Sequence, residues 1–283
     1  MPFFRRAALP VPDSFVHGGR RISFREYGAG PRAIVLTHGL LMDSRMFTAL
    51  APALAARGNR VITVDMLGHG ESEQPNEMTA YSMTQFGHDV LALLEHLGIP
   101  EAVIGGTSLG ANVALEAAIA SPKRVRALVL EMPVLEKGIA AAAAVFVPLA
   151  LALRLNQPGM RLISKLTRKI PRSHFLVDVL LDFARRDPAS SLAVLDGLTF
   201  GRIAPPLEQR RRIDKPALVV GHPSDPIHPF GDADTTARDL KRARLVKAGS
   251  IYEWRLRPAR LNNELCEFLD EVWQGADSPT LVH

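Results

Sequence analysis

The sequence predicts an α/β fold, a mostly parallel central sheet with helices on both faces and an inserted helical cap. Three observations predict it. Short β-branched runs alternate with helical segments, which is the rhythm of a buried parallel sheet. That alternation stops over residues 133–212, which read as several helices with no intervening strand. The chain has 283 residues and is 47% hydrophobic, enough to bury a sizeable core.

Each element follows from a local signal. Residues 14–17 and 21–27 alternate around Gly18-Gly19 and read as an antiparallel hairpin. The strands expected after it cover residues 33–37, 60–65, 102–105, 127–131, 217–221 and 244–247. Helices are expected over 45–57, 82–97, 109–121, 229–241 and 258–273, the last opened by Pro258. The alanine run 140–144 belongs to a cap helix, because alanine is the best helix former. The expected division is a core of residues 1–131 with 213–283, and a cap of residues 132–212.

Composition narrows the function. The formal net charge is +5, from 34 Lys and Arg against 29 Asp and Glu, but the basic residues are scattered among acidic ones, which argues against a nucleic-acid partner. The clusters Arg210-Arg211-Arg212 and 161–172 read as solvated helix faces. A single cysteine, Cys266, allows no internal disulfide and no cysteine-based metal site, and a cytoplasmic location is the expectation. Ala7-Ala8-Leu9-Pro10 is broken by proline before a secretory signal could form. The longest apolar run, 139–153, carries Pro148 and is shorter than the ~20 residues that span a bilayer, so no transmembrane segment is expected.

The chemistry-bearing signal is Gly106-Thr107-Ser108-Leu109-Gly110, a G-x-S-x-G motif between an apolar strand and a helix. Its glycines allow a sharp turn that lifts Ser108 clear of the sheet at a helix N-terminus, where backbone N–H groups favour developing negative charge. Thr37-His38-Gly39-Leu40-Leu41 follows another strand, and Asp65-Met66-Leu67-Gly68-His69-Gly70-Glu71-Ser72 follows the next.

Together these motifs resemble the α/β-hydrolase family, over nearly the whole chain outside the cap. The resemblance implies a nucleophilic Ser108, with the backbone N–H groups of Leu40 and Leu109 forming an oxyanion hole. His38 would orient its loop, and the residue 65–72 loop would be architectural. Asp225, in Gly221-His222-Pro223-Ser224-Asp225-Pro226-Ile227-His228, fits the family's acid, with Glu131 as the alternative.

The sequence departs from the family at the base. Where the histidine normally follows the last strand, the chain reads Gly249-Ser250-Ile251, and no histidine lies between His228 and His283. Ser250 cannot accept a proton near neutral pH as imidazole can. His228 is the best candidate, since it shares a proline-restricted loop with Asp225. His17, His88 and His96 read as structural or surface residues, His222 as a support for its loop, and His174 as a cap residue able to line a pocket.

The expected reaction is acyl transfer to water from a small-molecule apolar ester, without metal or cofactor. Apolar stretches 143–153 and 175–181 are expected to admit the acyl group. A lactonase, thioesterase, C–C hydrolase, acyltransferase or cofactor-free perhydrolase is the alternative on the same fold, as is a non-catalytic ligand-binding relative. A serine rather than an aspartate at the elbow argues against the family's haloalkane dehalogenases and epoxide hydrolases, which form their ester intermediate on a carboxylate. Oligomeric state is not legible in the sequence.

Overall fold

The computed structural model describes residues 9–171, 181–182, 184–250 and 253–274. Its strands are β1 (Asp13–His17), β2 (Arg20–Tyr27), β3 (Ala33–Thr37), β4 (Arg60–Asp65), β5 (Ala102–Thr107), β6 (Val125–Glu131), β7 (Pro216–Gly221) and β8 (Arg242–Lys247). They form one sheet in the order β1-β2-β4-β3-β5-β6-β7-β8. The β1–β2 and β2–β4 pairs are antiparallel and every other pair is parallel.

Side chains reverse face at each strand residue, so an all-apolar strand feeds two cores. Val35, Ile62, Leu128, Leu130 and Val219 face one side, where they meet α2 (Met83–His96) and α3 (Leu109–Ala120). Ile34, Leu36, Val103, Val129 and Val220 face the other, under α1 (Leu50–Ala55) and the C-terminal α10 (Ala259–Gln274). The helix expected over 45–57 is divided into a 3-10 turn, Ser44–Phe47, and α1. Pro52 explains the break, because it tolerates only the first turn of a helix.

Between β6 and β7 the described residues are helical: α4 (Glu136–Leu155), α5 (Gln157–Thr167), α6 (Pro188–Thr199) and the short α7 (Leu207–Arg210). Asp232, buried at the start of α8 (Phe230–Asp239), accepts hydrogen bonds from the backbone N–H groups of Leu135, Lys137 and Gly138 at 2.8, 3.2 and 2.7 Å. It thereby satisfies the otherwise orphaned donors that open α4. The short α9 (Glu253–Leu256) follows β8.

Two expectations need correction. Arg210 is not a surface residue: it is 3% exposed and binds Asp239 at 2.8 Å, Glu136 at 3.3 Å and the Pro205 carbonyl at 2.9 Å. A run of three arginines gives no local sign of which one finds distant carboxylates, whereas Arg211 and Arg212 are exposed. The apolar run 139–153 belongs to a helix of 20 residues that continues through Pro148, so by length and composition alone α4 could cross a membrane, which corrects the expected length and not the expected absence of a transmembrane segment. The reason is that the helix extends past the apolar run to Glu136 and Leu155. Here α4 packs against α5, α6 and α8.

Candidate active site

Ser108 sits between β5 and α3 with φ 55° and ψ −109°, a backbone conformation that L-residues rarely adopt. Close packing holds it there. A Cβ added at Gly106 or Gly110 would collide with the Thr37 carbonyl oxygen, so β3, the elbow and α3 approach one another only with glycine at both positions. The Ser108 N–H donates to the Glu131 carbonyl at 2.8 Å, anchoring the elbow on β6.

The loop after β7 reaches the serine. The imidazole of His228 lies with Nε2 2.9 Å from Ser108 Oγ and Nδ1 3.0 Å from Asp225 Oδ2. The other Asp225 oxygen accepts the backbone N–H groups of Ile227 and His228 at 2.8 and 2.9 Å. One carboxylate therefore closes the turn and orients the ring. Burial would raise the Asp225 carboxyl, but the His228 ring and these two N–H groups outweigh it and hold it below its ordinary value.

Ser250, at the family's usual base position, is exposed, and its carbonyl accepts a hydrogen bond from His222 Nδ1 at 2.9 Å. Glu131, the alternative acid, faces other partners. Thr107 Oγ1 and Arg255 donate to it at 2.5 and 2.6 Å, and His222 Nε2 lies 3.2 Å away. Burial would raise Glu131, but the charge of Arg255, helped by His222 and Thr107, holds its pKa at about 2. For His222 burial works in the lowering direction, and the Glu131 carboxylate overcomes it and raises the imidazole. The side chains of this cluster bond one another rather than Ser108, His228 or Asp225, and its link to the elbow is the Glu131 carbonyl. Its members come from β5, β6, the β7 loop and α9, so sequence spacing carried no sign of it.

Leu40 and Leu109 both line the cavity beside Ser108. Leu109 opens α3, where helix geometry leaves the backbone N–H without an intrahelical acceptor. The Leu40 loop is fixed by two fully buried histidines. His38 Nδ1 donates to the Gly39 carbonyl at 2.8 Å while Nε2 accepts the Met66 N–H at 2.9 Å. His69 Nδ1 donates to the Leu67 carbonyl at 2.9 Å while Nε2 accepts the Leu41 N–H at 3.1 Å. Each ring needs one protonated and one bare nitrogen, and burial lowers both pKa values, His69 well below its ordinary value. The role of His69 in holding the Leu40 loop was not legible in its glycine-rich motif.

A cavity of about 180 Å³ opens over Ser108 and His228. Its walls are mostly apolar, with Phe146 and Val147 from α4, Leu195 and Leu198 from α6, and Met83 from α2. Asn112 lies on the wall, yet its amide is engaged with the Val134 and Ile203 carbonyls at 2.7 and 2.9 Å. Ala143 of the expected acyl-binding stretch lines the cavity, whereas most of residues 175–181, with His174 and His283, lies outside the described residues. Among the described residues no group of His, Cys, Asp and Glu side chains is arranged to hold a metal ion.

The alpha/beta hydrolase fold family matches residues 32–248. Among individual proteins, bifunctional epoxide hydrolase 2 of Rattus norvegicus is 38% identical over 134 residues, which are 44% of this chain and 24% of that protein. The chain thus spans about a quarter of that curated relative. Among solved structures, the enol-lactonase from Burkholderia xenovorans LB400 superposes with a TM-score of 0.74 at 23% identity, covering 91% of this chain and all (100%) of that one. A thermophilic esterase from Thermogutta terrifontis gives 0.70 at 21% identity, covering 94% of this chain and 99% of that one. These two likenesses concern the fold. With the match extending over most of the chain, from β3 to the end of β8, this protein belongs to the alpha/beta hydrolase fold family.

Proposed function

We propose that the protein is a serine hydrolase that cleaves carboxylic esters of small to medium apolar acyl groups. The observation that carries this reading is the unbroken chain Ser108 Oγ to His228 to Asp225 on the floor of an apolar cavity. Asp225 stays ionised and accepts a hydrogen bond from Nδ1–H of His228, which leaves Nε2 bare to accept the hydroxyl proton of Ser108. The serine oxygen attacks the ester carbonyl and the proton passes to His228. The oxyanion meets the Leu40 and Leu109 N–H groups at the positive end of α3. His228 returns the proton to the leaving alcohol, and water releases the acid by the same steps in reverse.

A hydroxyl at the elbow favours acyl transfer over epoxide opening, which in this family uses a carboxylate. Lactones and thioesters present the same carbonyl chemistry, but the apolar walls favour a neutral acyl chain over a charged one. A non-catalytic ligand-binding role is disfavoured because an imidazole nitrogen, His228 Nε2, lies 2.9 Å from Ser108 Oγ, within reach of its proton. The cytoplasm is the proposed location, in keeping with a single free cysteine. The test is a nitrophenyl ester series from acetyl to decanoyl, with a hemisuccinyl ester beside it as the charged acyl group. Turnover abolished in Ser108→Ala and strongest for short to medium chains is expected. No turnover across the series, or a strict preference for charged acyl groups, would overturn the reading.

A further inference from the structure

The outer faces of α4 and α5 carry a pattern that neither the core nor the cavity uses. From Gly138 to Leu153 no side chain is polar, although only the inner side of α4 is covered. Leu153, Phe146 and Leu149 pack inward with Leu41, Leu192 and Leu195. On the outside, Leu151 and Leu155 are 53% and 76% exposed. On α5, Leu162, Ile163 and Leu166 are exposed too, at 57%, 44% and 54%. At 3.6 residues per turn those three fall within an arc of about 100°, opposite Ser164, which faces inward. A helix at a water-facing surface normally shows polar residues there. A contiguous exposed apolar surface of this kind marks a contact.

Charge identifies the occupant. Between Glu136 and Asp178 the sequence has no acidic residue. Exposed Arg161, Lys165, Arg168 and Lys169 lie on or just after α5, flanking its apolar stripe. Arg154, at the end of α4, is paired with Asp196. A second copy of the chain is disfavoured, because a two-fold contact would set this predominantly basic face against itself. A lipid surface with anionic headgroups satisfies both features at once: acyl chains accept the leucines while phosphates meet the lysines and arginines.

We propose that α4 and α5 dock on an anionic bilayer, lying in its interface rather than crossing it. Crossing would strip α4 of its contacts with Asp232 and α6, whereas interfacial docking keeps them. Docking also places the membrane on the outside of the helix whose inner side, Phe146 and Ala143, roofs the cavity. Apolar molecules dissolved in the bilayer would then be concentrated next to the cavity. The docking itself does not depend on the proposed ester chemistry.

The experiment is co-sedimentation of the full chain with vesicles of phosphatidylcholine, alone or mixed with phosphatidylglycerol. Partitioning onto the anionic vesicles, weakened by added salt, is expected, with Ser108→Ala binding as wild type. Leu162→Glu with Leu166→Glu, and separately Lys165→Glu with Lys169→Glu, should each reduce partitioning by on the order of tenfold or more. All four positions are solvent-exposed, and circular dichroism confirms that each variant is folded. Failure to bind anionic vesicles, or binding unchanged in the folded double variants, would overturn the proposal. So would a lipid-independent dimer in sedimentation velocity that Leu162→Glu with Leu166→Glu splits.

Discussion

Removing the imidazole of His228 tests the proton relay with few side effects. The ring meets Ser108 Oγ at 2.9 Å and Asp225 at 3.0 Å, within the ~2.6–3.2 Å a general base requires. In His228→Ala the turn should survive, because Asp225 keeps the N–H groups of residues 227 and 228 as donors. No other described imidazole is poised to replace it: His222 is held between Glu131 and the Ser250 carbonyl. Loss of a positioned base costs about 10²–10⁴-fold in rate, or about 3–5 kcal/mol of barrier. The assay is kcat/KM for nitrophenyl butyrate, read beside a thermal melt. Added imidazole should restore part of the rate by entering the space the ring vacates. Turnover within threefold of wild type, in a variant whose melt is unchanged, would refute the relay.

Four further outcomes follow from the structure. Asp225→Asn should lower kcat by about 10³–10⁴-fold with little loss of stability, since it spoils the tautomer of His228. Glu131→Gln should leave turnover within about fivefold but destabilise by about 1–3 kcal/mol, because it removes the carboxylate that balances the half-buried Arg255; the opposite pattern in kcat would make Glu131 the acid. Gly110→Ala should disrupt the elbow, costing about 1–3 kcal/mol in urea unfolding and most of the activity, as its methyl meets the Thr37 carbonyl. Stability should fall in mild acid. His38 and His69 stay neutral when folded but protonate in the unfolded chain at their ordinary pKa of about 6.5, so their contribution is full above that pH and is lost as pH falls below it. Each adds up to about 1.4 kcal/mol per pH unit, while the raised His222 completes its opposite contribution by about pH 6.5. Unfolding free energies that do not change between pH 6.5 and 5 would contradict this.

The sheet was legible because its signal is local. Runs such as Ile34-Val35-Leu36 and Leu128-Val129-Leu130 state burial on both faces without reference to any other part of the chain. The elbow was legible for the same reason, its two glycines lying within four residues of each other. Asp225 and His228 could be paired in sequence only because they share one loop, three residues apart. What stayed hidden depends on partners far away along the chain. Arg255 reaches Glu131 across 124 residues, Arg210 reaches Glu136 across 74, and Asp232 caps α4 across 94. No period or spacing encodes such meetings. The extent of α4 was missed for another reason: apolarity was counted along the run, while helix length is set by where the backbone caps fall.

Covalent trapping of the nucleophile tests the central claim most directly. Incubation with a fluorophosphonate, followed by intact mass and peptide mapping, should give one adduct, on Ser108. The adduct should disappear in Ser108→Ala and form at least a hundredfold more slowly in His228→Ala, in line with the cost of a lost base. A folded wild-type protein that takes up no label at Ser108, or one that labels equally fast without His228, would contradict the account.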